Sequence, residues 1–211
     1  MDAGAHEAAA SPNNDRTPPT SGQAKAGNYK LGPVRVAGLD IGVENPEGSV
    51  REDKHNTPPK WRRVMKHHYG YVRGSTAFDS TAAKKQGVDV FIKPGTPEDW
   101  SGDVYVVNQT KESGAFDEHK AMIGFDSEAE ARAAYQDNYE PGWNRGNDVV
   151  AMPAAEFKAW VHSEAPSQGA AKRASQMRSA SRMWRNVPSI EPKNAPRFAA
   201  ISWAGSFAAA A

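Results

Sequence analysis

Between Tyr29 and Phe125 the chain is cut into short β-type runs, and this punctuation constrains its fold more than any other feature. Val34, Val36, Leu39, Ile41 and Val43 alternate imperfectly and are interrupted at Gly38, where a bend or bulge is expected. His68–Arg73, Val88–Lys93, Val104–Gln109 and His119–Phe125 follow, each bounded by Gly, Pro, Asp or Ser. Glu44-Asn-Pro-Glu-Gly48 reads as a turn, and the polar residues 51–60, with Pro58-Pro59, read as a loop. Helical signals come only later. A helix is expected from Asp126 or Ser127 to about Tyr139, with Glu128 and Glu130 near its positive end and Pro141-Gly142 stopping it. After a short run at Asp148–Met152, a second helix is expected over Pro153–Val161, with proline in the tolerated first turn. Strands first and helices late indicate the α+β class, and a small five-stranded β-barrel resembling an oligonucleotide-binding fold, with two C-terminal-side helices, is expected.

The two ends differ from this middle. Hydrophobic residues make up 38% of the 211, and the mean hydropathy is −0.72, so part of the length is expected to be arm rather than core. Residues 1–25, rich in Ala, Pro, Ser, Asn and Thr, read as a flexible or extended N-terminal arm. The central domain is placed at 26–163, and 164–211 is read as a basic helix followed by an apolar C-terminal arm. From Ser167 to Arg197 the net charge is +6, which leaves the remainder at −5 and hides an acidic body behind an overall +1. Trp184, Phe198, Ile201, Trp203 and Phe207 cannot build a core alone, so they are expected to dock on a partner. That protein-docking reading is preferred over DNA contact by the basic segment, which has the charge for phosphate but no base-reading motif. The absence of cysteine excludes disulfides and thiolate metal sites. No run is apolar enough to span a membrane, and the N-terminus lacks the basic segment of a secretory signal.

Six blocks stand in order along the middle region: Ala26-Gly-Asn-Tyr-Lys30, Gly38-Leu-Asp-Ile41, Glu44-Asn-Pro-Glu-Gly-Ser-Val-Arg51, His68-Tyr-Gly-Tyr71, Val88-Asp-Val-Phe91 and Phe116-Asp-Glu-His-Lys120. Here the sequence resembles the soluble inorganic pyrophosphatases, which carry a Tyr-Gly-Tyr strand followed by an Asp-x-Asp-Pro-x-Asp run. It resembles still more the pyrophosphatase-like domains of bacteriophage proteins, including large polyvalent ones. The resemblance covers roughly residues 26–163 and implies a barrel on which clustered aspartates hold several Mg²⁺ ions. Those ions neutralise the diphosphate and acidify the attacking water, while Lys, Arg and Tyr hold the phosphates.

Carried over by motif, the resemblance points to Asp89, Tyr69, Glu118, Lys120 and Tyr139 as site residues, and to Arg51 and Lys120 as phosphate ligands. It also implies losses. Lys84 and Gln86 stand where the first two aspartates of the run belong, which changes the local charge by about three units, and Glu140 replaces a phosphate-binding lysine. Asp79, Asp117 and Glu118 are substitutes in principle, although Asp79 lies five residues too early for the motif. His67-His68 and His119 are not expected to bind metal, because neighbouring strand residues face opposite sides.

Two functions follow as expectations. The first is a bacteriophage virion structural protein: a capsid decoration, head–tail or minor component, made in the host cytoplasm. It would use a degenerate domain without cofactor as scaffold, and arms that dock on capsid, portal or tail proteins. The alternative is a Mg-dependent phage inorganic pyrophosphatase or related phosphohydrolase.

Overall fold

The structure, a computed structural model, describes residues 1–10, 20–22, 32–53 and 56–172. Nine strands and three α-helices are found among them. The strands are β1 (Pro33–Val36), β2 (Leu39–Asn45), β3 (Val50–Glu52), β4 (Arg62–Val64), β5 (His68–Val72), β6 (Asp89–Ile92), β7 (Asp103–Thr110), β8 (Phe116–Ile123) and β9 (Asp148–Pro153). The helices are α1 (Asp2–Ala10), α2 (Glu128–Asp137) and α3 (Ala154–Val161), and a 3₁₀ turn follows at Ala165–Gln168.

The α+β class holds, but the expected five-stranded barrel is replaced by an open sheet. Seven strands lie in the order β1-β2-β5-β6-β8-β7-β9, and β3-β4 form a separate two-stranded sheet. All pairings are antiparallel except β6 with β8. Among the described residues no ladder joins the edge strands β1 and β9, so the sheet does not close. The run read as one interrupted strand is a hairpin. Ala37 (φ 53°) and Gly38 (φ 68°) both take the left-handed conformation that a tight two-residue turn between twisted strands requires. The segment read as a polar loop at 51–60 joins β3 to β4, whose residues alternate too weakly in polarity to be read as strands.

Strand alternation sorts the side chains onto two faces. Val36, Ile41, Val72, Val90, Val106, Ala121, Ile123 and Val150 pack on one face with Phe157 and Val161 of α3. Tyr69, Phe91, Val107, Met122 and Val149 pack on the other with Ala131, Ala134 and Tyr135 of α2 and with Met65 after β4. Helix α2 begins where its sequence signal lies: the Ser127 hydroxyl accepts from the Glu130 backbone N–H at 3.1 Å, with Glu128 and Glu130 in the first turn. Gly70 explains the Tyr-Gly-Tyr pattern, since a β-carbon there would collide with the Gly42 backbone of β2. It lets two tyrosines of one face flank a close backbone approach.

The ends of the domain depart from the expected boundaries. Residues 2–10, read as part of an arm, form α1, whose Ala5 and Ala8 are buried against the first face. Asp2 accepts from the Gly95 backbone N–H and lies 3.2 Å from Nε2 of the buried His68. At the other end the packed chain continues past 163. Asn108 exchanges hydrogen bonds with the Ala171 backbone at 2.8 and 3.0 Å, and Ala171 is buried. The remaining arm residues, among them the docking candidates Trp184, Phe198, Ile201, Trp203 and Phe207, lie outside the described residues. No helix among the described residues is long and apolar enough to cross a membrane.

His119 of β8 faces the first core, edge-on to Trp160 (5.0 Å) and beside Phe116 (4.7 Å). Burial lowers its pKa to about 4, with the Gly169 backbone opposing the shift. The unfolded chain therefore takes up this proton first, near the ordinary value of 6.5. Stability from this site is complete above that pH and is lost as pH falls towards 4. Urea unfolding should show wild type losing about 2–3 kcal/mol more than His119→Phe between about pH 7 and 4.5. Parallel losses in the two proteins would contradict this assignment.

Candidate functional site

The residues singled out in the sequence converge on the second face. Register places Asp89 of β6 beside Lys120 of β8, and Glu118 beside Gln109 of β7. Tyr69 of β5 lies diagonally across from Asp89. The β3–β4 hairpin supplies Arg51, and the residues after α2 supply Tyr139. The centre is Lys120, whose side chain is only 4% exposed; its Nζ lies 2.5 Å from Asp89 and 2.9 Å from Glu118. The Tyr69 hydroxyl donates to the same Asp89 Oδ2 at 2.6 Å. The Arg51 guanidinium sits 4.3 Å from the centroid of the Tyr69 ring and donates to its hydroxyl at 3.4 Å.

Burial alone would discharge Lys120, but Asp89 and the acidic groups around it outweigh that cost, so its pKa lies well above the usual lysine value. Burial raises the Tyr69 phenol well above its ordinary range, which keeps it a proton donor. Burial also raises Glu118; Lys120 opposes the shift, while Asp89 and Asp79 add to it.

Gln109 is the site residue that sequence reading missed. Its Nε2 donates to Glu118 (2.8 Å), and its Oε1 accepts from the hydroxyls of Tyr135 (2.7 Å) and Tyr139 (3.1 Å). One amide thus ties both tyrosines to the carboxylate. The only signal was a polar pair, Asn108-Gln109, ending an otherwise apolar strand. Glu140 is paired with Arg63 of β4 at 2.9 Å. Arg63 also donates to the Asn138 carbonyl at 3.0 Å, so the hairpin is clamped onto the end of α2. The two histidines are occupied elsewhere, His67 with Asn138 and His68 with Glu47 and Asp2.

A resident magnesium centre does not fit these residues. Carboxylate oxygens are the right donors, but among the described residues no three of His, Cys, Asp or Glu gather closely enough to hold a metal ion. Oδ2 of Asp89 already serves both Lys120 and Tyr69. Gln86 donates to Asp79, and Lys84 is exposed on the same loop. Asp79 is held on that loop by Gln86.

The arrangement of Tyr69, Asp89, Glu118, Lys120 and Tyr139 is drawn from one continuous stretch of chain, and the family model described as Inorganic Pyrophosphatase matches residues 21–162. The chain belongs to the inorganic pyrophosphatase family. Comparison with curated proteins and with solved structures gives no match. Within this pyrophosphatase-family domain, the basic and tyrosine side chains suited to phosphate are gathered on one face.

Proposed function

We propose that this side-chain cluster recognises diphosphate, taken as the magnesium complex in which the anion carries its own divalent cation, and that hydrolysis there is slow. The observation that carries the reading is the buried Lys120 between Asp89 and Glu118, with the Tyr69 hydroxyl on the same Asp89 and the Arg51 guanidinium 4.3 Å from the Tyr69 ring centroid. Arg51 and Lys120 are balanced by Asp89 and Glu118, and Asp79 and Asp117 add negative charge. A bare, highly charged anion would be repelled there, whereas a cation-neutralised one would not. Arg51 meets phosphoryl oxygens, and Lys120 adds positive charge nearby while Asp89, Glu118 and Gln109 hold its ammonium and the hydroxyls of Tyr69 and Tyr139. Hydrolysis adds water to one phosphorus and breaks the bridging P–O bond, releasing two phosphates. With lysine and glutamine at 84 and 86, the charge development of that step lacks its usual support.

The reading is tested by calorimetric titration with pyrophosphate in the presence of magnesium. Saturable binding is expected, and Arg51→Ala should weaken it by at least about tenfold, as loss of a charge-assisted contact does. Absence of binding by the wild type, or equal binding by Arg51→Ala, would overturn it. The virion reading rests on the arms, 1–25 and 164–211, of which 11–19, 23–25 and 173–211 lie outside the described residues. The DNA-contact reading rests on the basic segment Ser167–Arg197, of which 173–197 lie outside the described residues, and the described residues add support to neither.

A further inference from the structure

We propose that the diphosphate taken by this cluster is attached to an aromatic base, as in a nucleoside diphosphate, and that Trp61 is the surface on which the base stacks. The inference rests on the diphosphate reading above. It begins with the register of the β3–β4 hairpin. Arg51 pairs with Arg63, and the Asp53 backbone N–H donates to the Trp61 carbonyl. Alternation then puts Trp61, Arg63 and Arg51 on one face of the hairpin and Val50 and Val64 on the other. On that face Arg51 turns to Tyr69 and Arg63 to the end of α2. Trp61 belongs to that same side.

Four large hydrophobic side chains are exposed among the described residues: Val50, Trp61, Val64 and Phe78. Of the three carried by the hairpin, only Trp61, 41% exposed, lies on the side of Arg51. The Arg51 guanidinium stands 6.0 Å from the Trp61 ring centroid and 4.3 Å from that of Tyr69. A ligand whose phosphate meets Arg51 therefore has its far end within reach of the indole. The other tryptophan near the cluster is differently placed. Trp143 is stacked on Tyr139 at 4.4 Å, and its Nε1 donates to Tyr135, so it is part of the wall. Arg63 anchors the hairpin before any ligand arrives, so little ordering cost falls on binding. Inorganic diphosphate offers nothing to an indole face, whereas every nucleobase has a π-face that stacks on one.

The test compares magnesium-complexed ADP, UDP and pyrophosphate by titration against the full chain, with Trp61→Leu and Trp61→Phe. Trp61→Leu should lower the ratio of nucleoside-diphosphate to pyrophosphate affinity by roughly tenfold. Trp61→Phe, which keeps an aromatic face, should restore most of that ratio, and circular dichroism checks that both variants fold. If pyrophosphate binds and the ratio is the same in all three proteins, base stacking is wrong while diphosphate recognition stands. If the wild type binds neither ligand, both readings fall together.

Discussion

Replacing Lys120 by methionine should lower the free energy of unfolding by about 3–5 kcal/mol at about pH 8. The methionine conserves the stem but leaves Asp89 and Glu118 facing each other without the ammonium that lies 2.5 and 2.9 Å from them. The cost is that of buried charge without a partner, so it must depend on pH. Glu118 already has a raised pKa because of burial, and Lys120 is the group that holds it down. In the variant the carboxyl is more easily protonated in the folded state than in the unfolded chain. Stability is then retained below the unfolded value of about 4.5 and lost as pH rises through the higher folded value. Urea unfolding at about pH 4.5 and 8 should show the larger deficit at the higher pH. Combining Lys120→Met with Asp89→Asn and Glu118→Gln should recover much of it, since neutral groups need no counter-ion. An equal deficit at both pH values would trace the loss to packing.

The double variant Lys84→Asp/Gln86→Asp should gain magnesium-dependent release of phosphate from pyrophosphate, on the order of a hundredfold or more over wild type. That gain corresponds to about 2.7 kcal/mol of barrier. Coulomb interactions near a protein surface are worth about 4 kcal/mol per charge pair at contact, so a change in local charge of about three units is ample. A second readout does not depend on turnover. The carboxylate introduced at position 86 would face Asp79, the present partner of Gln86, and two carboxylates there repel unless a cation joins them. Magnesium should therefore raise the unfolding temperature of the variant much more than that of wild type. Identical magnesium responses in the two proteins would show that residues 84 and 86 are not what separates this domain from a metal-loaded one.

The candidate residues were legible only through the resemblance, whose motifs are short and therefore local. Strand pairing brings Tyr69, Asp89, Glu118 and Lys120 to one face, and Tyr139, which follows α2, joins them through Gln109. Arg51 was a weaker inference, since the hairpin that carries it has little polarity alternation. Gln109 and Arg63 were not found. Their roles come from partners 26 to 77 residues away, Tyr135, Tyr139, Asn138 and Glu140, and no local pattern signals such a bond. The barrel expectation failed for a related reason. Strand count and closure depend on which edges meet, and the parallel pairing of β6 with β8 is a long-range choice.

The amino-acid sequence by itself determined the β-first, helix-late order of the domain, the start of α2 at its Ser127 cap and the tyrosine-flanked glycine of β5. Each follows from backbone preference or side-chain chemistry at a single position or a few adjacent ones. The tertiary structure alone decided that the sheet is open, that residues 2–10 and 171 belong to the packed body, and that Asp89 is occupied by Lys120 and Tyr69. Those outcomes depend on burial and on charges brought together across the sheet, where desolvation and pairing compete at distances that spacing along the chain does not encode.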